Sequence, residues 1–259
     1  MKKVKIEYPF LFFFKKGKNI EVPQDWMDLS GVQFAICSEA ITSIVTDEVF
    51  ISKFYGIKKG LVKRLTKFEQ FKLIECAEFI ANPKAMVNFF YLKSIPGTGL
   101  IAPDKRLQNV SFEQFMLFDT FFFDYVNDPK DSNLHKFVAA LYLKKGEVLT
   151  SINFQKRVSY IAKYVDKSSM DAIFLNYTFI RKWLSSVFKF LFEYNEKDPE
   201  EKPEKIKQPI TSNKPDWNSI LDGFIGEDIL NDQKYRSILC IRAFKTINKR
   251  IQMYRTHGK

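Results

Sequence analysis

Residues 111–125 read SFEQFMLFDTFFFDY, the most aromatic stretch of the chain. Ser111 followed three residues later by Gln114 is a pattern that closes the first turn of a helix. Phe112, Phe115, Phe118, Phe122 and Tyr125 then recur at helical steps, and Phe121 and Phe123 widen the stripe. A helix that is apolar on nearly every side has to be surrounded by others. The spacing therefore predicts a central helix inside a mainly α protein.

The same periodicity extends outward in both directions. Leu134–Leu143 reads as a helix ending near Gly146, and Phe154–Val165 follows. Ser169–Phe192 reads as one long amphipathic helix carrying Ile173, Tyr177, Ile180, Leu184, Val187 and Leu191. On the N-terminal side, Ser30 with Gln33 opens a run through Phe34, Ile36, Ala40, Ile41 and Ile44. Asp47 is a candidate cap for a short helix through Val49, Phe50 and Phe54 that stops at Gly56. Thr66 with Glu69 precedes a helix whose apolar residues are Phe68, Phe71, Ile74 and Phe79. Ala85–Leu92 fits helix or strand, and Ser94–Pro103, with two prolines and two glycines, reads as a loop.

Residues 1–22 alternate instead. Val4, Ile6 and Tyr8 oppose Lys3, Lys5 and Glu7, and a turn over Lys15–Asn19 leads into Ile20 and Val22. This is a small N-terminal β-hairpin. Two strands alone are marginal in water, so their apolar face has to lie on helices.

The chain has 259 residues, 46% of them hydrophobic, which is enough for a sizeable core, and a net charge of +11. The charge is unevenly placed. Residues 193–232 carry 5 basic and 11 acidic side chains, and residues 233–259 carry 8 basic and none acidic. Glu193–Pro215, with four prolines and few aliphatics, reads as a flexible acidic linker. The organisation expected is a hairpin plus helical core over 1–192, a linker over 193–215, and a basic C-terminal helical appendage over 216–259. Asp216 caps a short helix through Trp217, Ile220, Leu221 and Phe224, ahead of a final helix over about Asp232–Tyr254.

Few residues suggest chemistry. G-x-x-x-x-G-K-[ST] is absent, and Gly97-Thr98-Gly99 lacks the third glycine of a dinucleotide fingerprint. Only His135 and His257 are available as imidazoles, and Cys37, Cys76 and Cys240 form no C-x-x-C pair. The odd, scattered cysteines point to a reducing compartment. Glu227, Asp228 and Asp232, beside Asp222, could hold a divalent cation. They better suit helix termini, where acids are favoured, and Asp232 directly precedes the final helix. Leu29–Thr46 is too polar to span a bilayer, and the start of the chain lacks a signal-peptide cleavage pattern. The expectation is a cytoplasmic protein that is not an enzyme, with no catalytic, cofactor-binding or metal-ligating residues.

The basic C-terminal helix is the strongest physical feature. Its apolar stripe is Tyr235, Ile238, Leu239, Ile241, Phe244, Ile247, Ile251 and Tyr254. Lys234, Arg236, Arg242, Lys245, Lys249, Arg250 and Arg255 are the candidate partner or phosphate contacts. They could bind a nucleic-acid backbone, dock on an acidic partner, or simply form a solvated face. Lys58, Lys59, Lys63, Arg64 and Lys67, with no acid between them, form a second and smaller cluster.

Several blocks, taken in order, carry a resemblance. They are VPQDW over 22–26 with Leu29, Ser30, Gln33 and Phe34; LIAP over 100–103 with Leu107; SFEQF over 111–115; and LHKFVAALY over 134–142. FLNYT over 174–178 with Arg181 and Trp183 follows, then Asp216, Trp217 and Gly226 ahead of the C-terminal helix. Together they resemble proteins encoded in the tail modules of Bacteroidetes phages and prophages, some of them tail assembly chaperone-like. The resemblance implies a holdase that shields apolar stretches of a long partner, such as a tape-measure protein, in the host cytoplasm. A nucleic-acid accessory protein and a structural virion component are the alternatives.

Overall fold

In the computed structural model the alternation of residues 1–22 becomes an antiparallel pair, β1 (Lys2–Phe10) and β2 (Phe14–Val22), with Lys2 opposite Val22 and Val4 opposite Ile20. The structure describes residues 1–10, 14–81, 85–194 and 214–257. Most of the linker expected over 193–215 therefore lies outside the described residues. The expected turn at Lys15–Asn19 is not one: Gly17 pairs with Glu7 and Asn19 with Lys5, inside β2. Register follows the buried face, and that face outweighs a local Gly/Asn turn signal.

Contacts along the chain gather into two compact units, Met1–Ala85 with Lys167–Leu175 and Met86–Asp166 with Asn176–Lys259. In the first, Val4, Ile6, Ile20 and Val22 of the hairpin share an aliphatic core with Ile51, Ile57, Val62, Leu65 and Leu73. Helix α1 (Gly31–Thr42) has the full reciprocal capping box between Ser30 and Gln33. It ends before Ile44, which is fully exposed. Helix α2 (Asp47–Phe54) begins after Thr46, so Asp47 is its first residue and not its cap. A short α3 (Lys59–Val62) was not expected.

Helix α4 (Lys67–Glu75) is capped by Thr66 as read, but its buried side is not the expected one. Gln70 and Leu73 are buried, whereas Phe68 and Phe71 are 71% and 65% exposed. The reason is tertiary: the Gln70 amide donates to the Val62 and Leu65 carbonyls at 3.2 and 3.3 Å, and this fixes which side of α4 faces inward.

The second unit is built around α5 (Phe112–Asn127), with α6 (Asp131–Leu141) and α7 (Ser151–Tyr164) following. Ser111 accepts from the Gln114 backbone, but the Gln114 side chain bonds the Ala140 carbonyl instead of closing the box. One half of the cap signal thus ties α5 to α6. Ser94–Pro103 is not wholly loop. Strands β3 (Ser94–Ile95) and β4 (Leu100–Ile101) pair, and β4 also pairs with β5 (Leu143–Lys144). Gly97 and Gly99, both at positive φ, make the turn between β3 and β4. Residues 85–92 are neither helix nor strand. Asn176 pins them by accepting from the Tyr91 amide and donating to the Phe89 carbonyl.

Two expected helices are each broken. The long one is α8 (Lys167–Val187) followed by α9 (Lys189–Tyr194), and α8 contributes its start to the first unit and the rest to the second. After α10 (Trp217–Ile225), the final helix is α11 (Asp232–Ser237) followed by α12 (Cys240–His257). The cause of the second break is visible. Ile238 is extended, and Ser111 and Leu239 form an isolated antiparallel bridge. The Phe112 amide donates to the Ile238 carbonyl at 2.7 Å and the Cys240 amide to the Val110 carbonyl at 2.8 Å. Among the described residues the protein is mainly α with a small N-terminal hairpin, and no described helix is long and apolar enough to cross a membrane.

Candidate functional site

Position 119 interrupts the aromatic stripe of α5 with a carboxylate, and the structure shows what it meets. Asp119 is completely buried. One of its oxygens accepts from the Tyr177 hydroxyl at 2.6 Å and from the Arg181 Nε at 3.1 Å, both on α8. The other accepts from the Trp217 indole of α10 at 2.8 Å. The Arg181 guanidinium lies 4.4 Å from the centre of the Phe123 ring and 5.4 Å from that of Phe192. A buried charge needs a partner and saturated hydrogen bonds, and Asp119 has both. Burial, with the Asp119 charge adding to it, pushes the Tyr177 hydroxyl well above its ordinary range. Three donors therefore hold Asp119 in a fixed position between helices. The group ties α5, α8 and α10 together.

Two other buried polar side chains in this unit also tie separate segments together. Tyr142 donates to the Leu92 carbonyl at 2.6 Å, and Arg157 donates to the Ala139 carbonyl at 2.8 Å while pairing with Glu147. Cys37 and Cys240 are buried, which pushes their thiols far up and away from the reactive thiolate. His135 is half-buried on α6. Among the described residues no group of acids, cysteines or histidines could hold a metal ion. Glu227 is exposed, Asp228 accepts from Asn231 and Tyr235, and Asp232 pairs with Arg236 at 2.8 Å.

The cationic helix packs by a face offset from the expected stripe. Cys240, Ala243, Phe244 and Ile247 are buried, whereas Leu239 and Tyr254 are exposed. Phe244 enters the aromatic interior, with ring centres 4.6 Å from Phe115, 5.4 Å from Phe188 and 5.8 Å from Phe192. The seven candidate cations then separate. Arg236 pairs with Asp232, Arg250 donates to the Phe224 carbonyl at 2.9 Å and lies over that ring, and Arg255 lies over Phe190. Lys234, Arg242, Lys245 and Lys249 are exposed. The last three recur at three and four residues and so share one side of α12.

Sequence reasoning missed a cleft of about 880 Å³ in the second unit. Met116, Leu117 and Trp217 line it from α5 and α10, and Val148, Leu149 and Phe154 line it from the start of α7 and the segment before it. Ser111, Thr150 and Asp216, the N-caps of α5, α7 and α10, also lie on its wall. Each cap is satisfied by its own helix, whereas Glu113 and Asn218 stand exposed on the wall, so the cleft offers a ligand an apolar floor with a few polar groups at its edge. The signal that could have found part of it was the Thr150–Asn153 capping box. Comparison with protein-family models, with curated proteins and with solved structures finds no match to this chain.

Proposed function

We propose that the protein is a non-enzymatic, chaperone-like tail assembly factor of a bacteriophage or prophage. In this reading it acts in the host cytoplasm and holds an apolar segment of a partner such as a tape-measure protein. The observation that carries the reading is the cleft beside α5, whose apolar floor is bordered by the exposed Val148. Its volume suits one or two turns of an amphipathic helix laid in a groove. The buried polar groups of this unit are committed to holding helices together, which favours binding over catalysis.

Coexpression with the tape-measure protein tests this. The partner should co-purify with the wild-type chain. Val148→Glu with Leu149→Glu should abolish the complex while leaving the helical circular dichroism unchanged. No co-purification in either direction, or a complex indifferent to these changes, would overturn the proposal. A second reading, nucleic-acid binding through α12, is favoured by Arg242, Lys245 and Lys249 sharing an exposed side. It predicts affinity that falls steeply with salt and is lost in the triple Gln variant.

A further inference from the structure

The surface formed by α3 and α4 carries two features that neither the cleft nor α12 uses. Lys58, Lys59, Lys63 and Arg64 are all exposed, and among the described residues their side chains form no ion pair or hydrogen bond. Lys67 is also exposed, with only a 3.5 Å approach to Gln70. No acid occurs between Lys58 and Phe68. The first that follows, Glu69, is mostly covered and lies 4.0 Å from Lys72. Directly beyond the cations, Phe68 and Phe71 stand out from α4, three residues apart and so on one side of it.

The arrangement is held rigidly. Val62 and Leu65 are buried beneath the turn between α3 and α4, which leaves Lys63 and Arg64 on the solvent side. The Gln70 amide bonds the carbonyls of both Val62 and Leu65, so the loop bearing the cations and the helix bearing the rings move as one. Groups fixed in advance lose less entropy when a ligand binds.

We propose that this surface binds single-stranded nucleic acid, with Lys58, Lys59, Lys63, Arg64 and Lys67 on phosphates and Phe68 and Phe71 stacking against bases. Uncompensated cations beside exposed aromatic faces are the two elements such binding needs, and neither requires sequence readout. An anionic membrane would also attract cations next to exposed rings. Glu75 argues against it. This exposed acid lies one turn beyond Phe71 on the same side of α4, so burying both rings among anionic headgroups would carry its carboxylate in with them. A flexible strand can stack on the rings and leave Glu75 to one side.

Fluorescence anisotropy of the full chain with labelled oligothymidylate tests the proposal, with cosedimentation on phosphatidylserine vesicles as the other arm. The oligonucleotide should bind at low salt. Lys59→Gln with Lys63→Gln should lower the slope of log affinity against log salt by about 1.4, from about 0.7 per phosphate contact on a single strand. Phe68→Ala and Phe71→Ala should each weaken binding about tenfold with the slope unchanged. Arg242→Gln with Lys245→Gln and Lys249→Gln should change neither. All these positions are exposed, and unaltered urea unfolding checks that the fold survives. The proposal is overturned by absence of binding at low salt, or by binding that depends on α12 and not on Lys59 and Lys63. Vesicle binding that is lost in the Phe variants while oligonucleotide affinity stays constant would also overturn it.

Discussion

The two units solve the same packing problem with different chemistry. The first closes a hairpin over helices with aliphatic side chains, Val4, Ile6, Ile20, Val22, Ile51 and Leu73 among them, and keeps a smaller set of rings in which Trp26 meets Phe34 and Phe79 edge to face. The second fills its interior with rings, Phe112, Phe115, Phe118, Phe122, Tyr177, Trp217 and Phe244, mostly edge to face. Aliphatic groups pack in many orientations, whereas rings carry a quadrupole and, in Tyr and Trp, a polar atom that has to find a partner. Asp119 supplies that partner to Tyr177 and Trp217 together. The second unit therefore keeps polar groups inside and paired. Among the described residues the polar side chains buried in the first are only the uncharged Ser38 and Gln70, whereas the second buries the charged Asp119 and Arg157.

The largest expected effect breaks the polar tie inside the second unit. Asp119→Ala leaves Arg181 without its carboxylate and orphans two more donors, a change worth about 3–5 kcal/mol. Ile51→Val in the aliphatic core should cost only about 0.5–1.5 kcal/mol. Equilibrium urea unfolding measures both, and comparable losses would dissolve the contrast.

A smaller effect compares the caps. Ser30→Ala removes a cap whose Gln33 partner is fully engaged in return, and Ser111→Ala removes one whose Gln114 partner serves α6 instead. Each should cost about 1 kcal/mol. Ser30→Ala keeps the bond from the residue-30 amide to the Gln33 side chain, so amide exchange should quicken at Gln33 and stay slow at residue 30.

The smallest effect is in acid. Hydrogen bonds from Ser219 hold the Asp216 carboxyl below its usual range, and the Gln24 amide does the same for Asp28. A carboxyl lowered on folding adds stability that is complete above its unfolded pKa and is lost as pH falls through the folded one. Thermal unfolding scanned downward from the usual carboxylate range should therefore show a shallow loss. Asp216→Asn and Asp28→Asn should each flatten it slightly, since Asp216 is exposed and Asp28 half-exposed to screening solvent.

Local features were legible in the sequence because their causes are local. The Ser30, Thr66, Ser111 and Asp216 caps each bond a residue three positions on, and the hairpin face follows from alternation. Four outcomes were not legible. Phe68 and Phe71 were expected to be buried, α12 was expected to be continuous with α11, Asp119 passed unnoticed, and the cleft was invisible. Each depends on a partner beyond one helical turn, from Val62 and Leu65 at eight and five residues from Gln70 to far longer separations, or on the packing of separate helices. Asp119 reaches residues 58, 62 and 98 positions away, and Cys240 bonds Val110.

The amino-acid order alone determined that this chain would be helical around an aromatic centre, where most helices would start, and that a hairpin would precede them. Hydrogen bonds within one turn and side-chain periodicity are enough for that. Only the tertiary structure decided which apolar residues stay in water, which cations stay unpaired and where a helix breaks. Those outcomes depend on which groups meet beyond a single turn, from one helix to the next or across long stretches of chain, and local periodicity carries no information about such meetings.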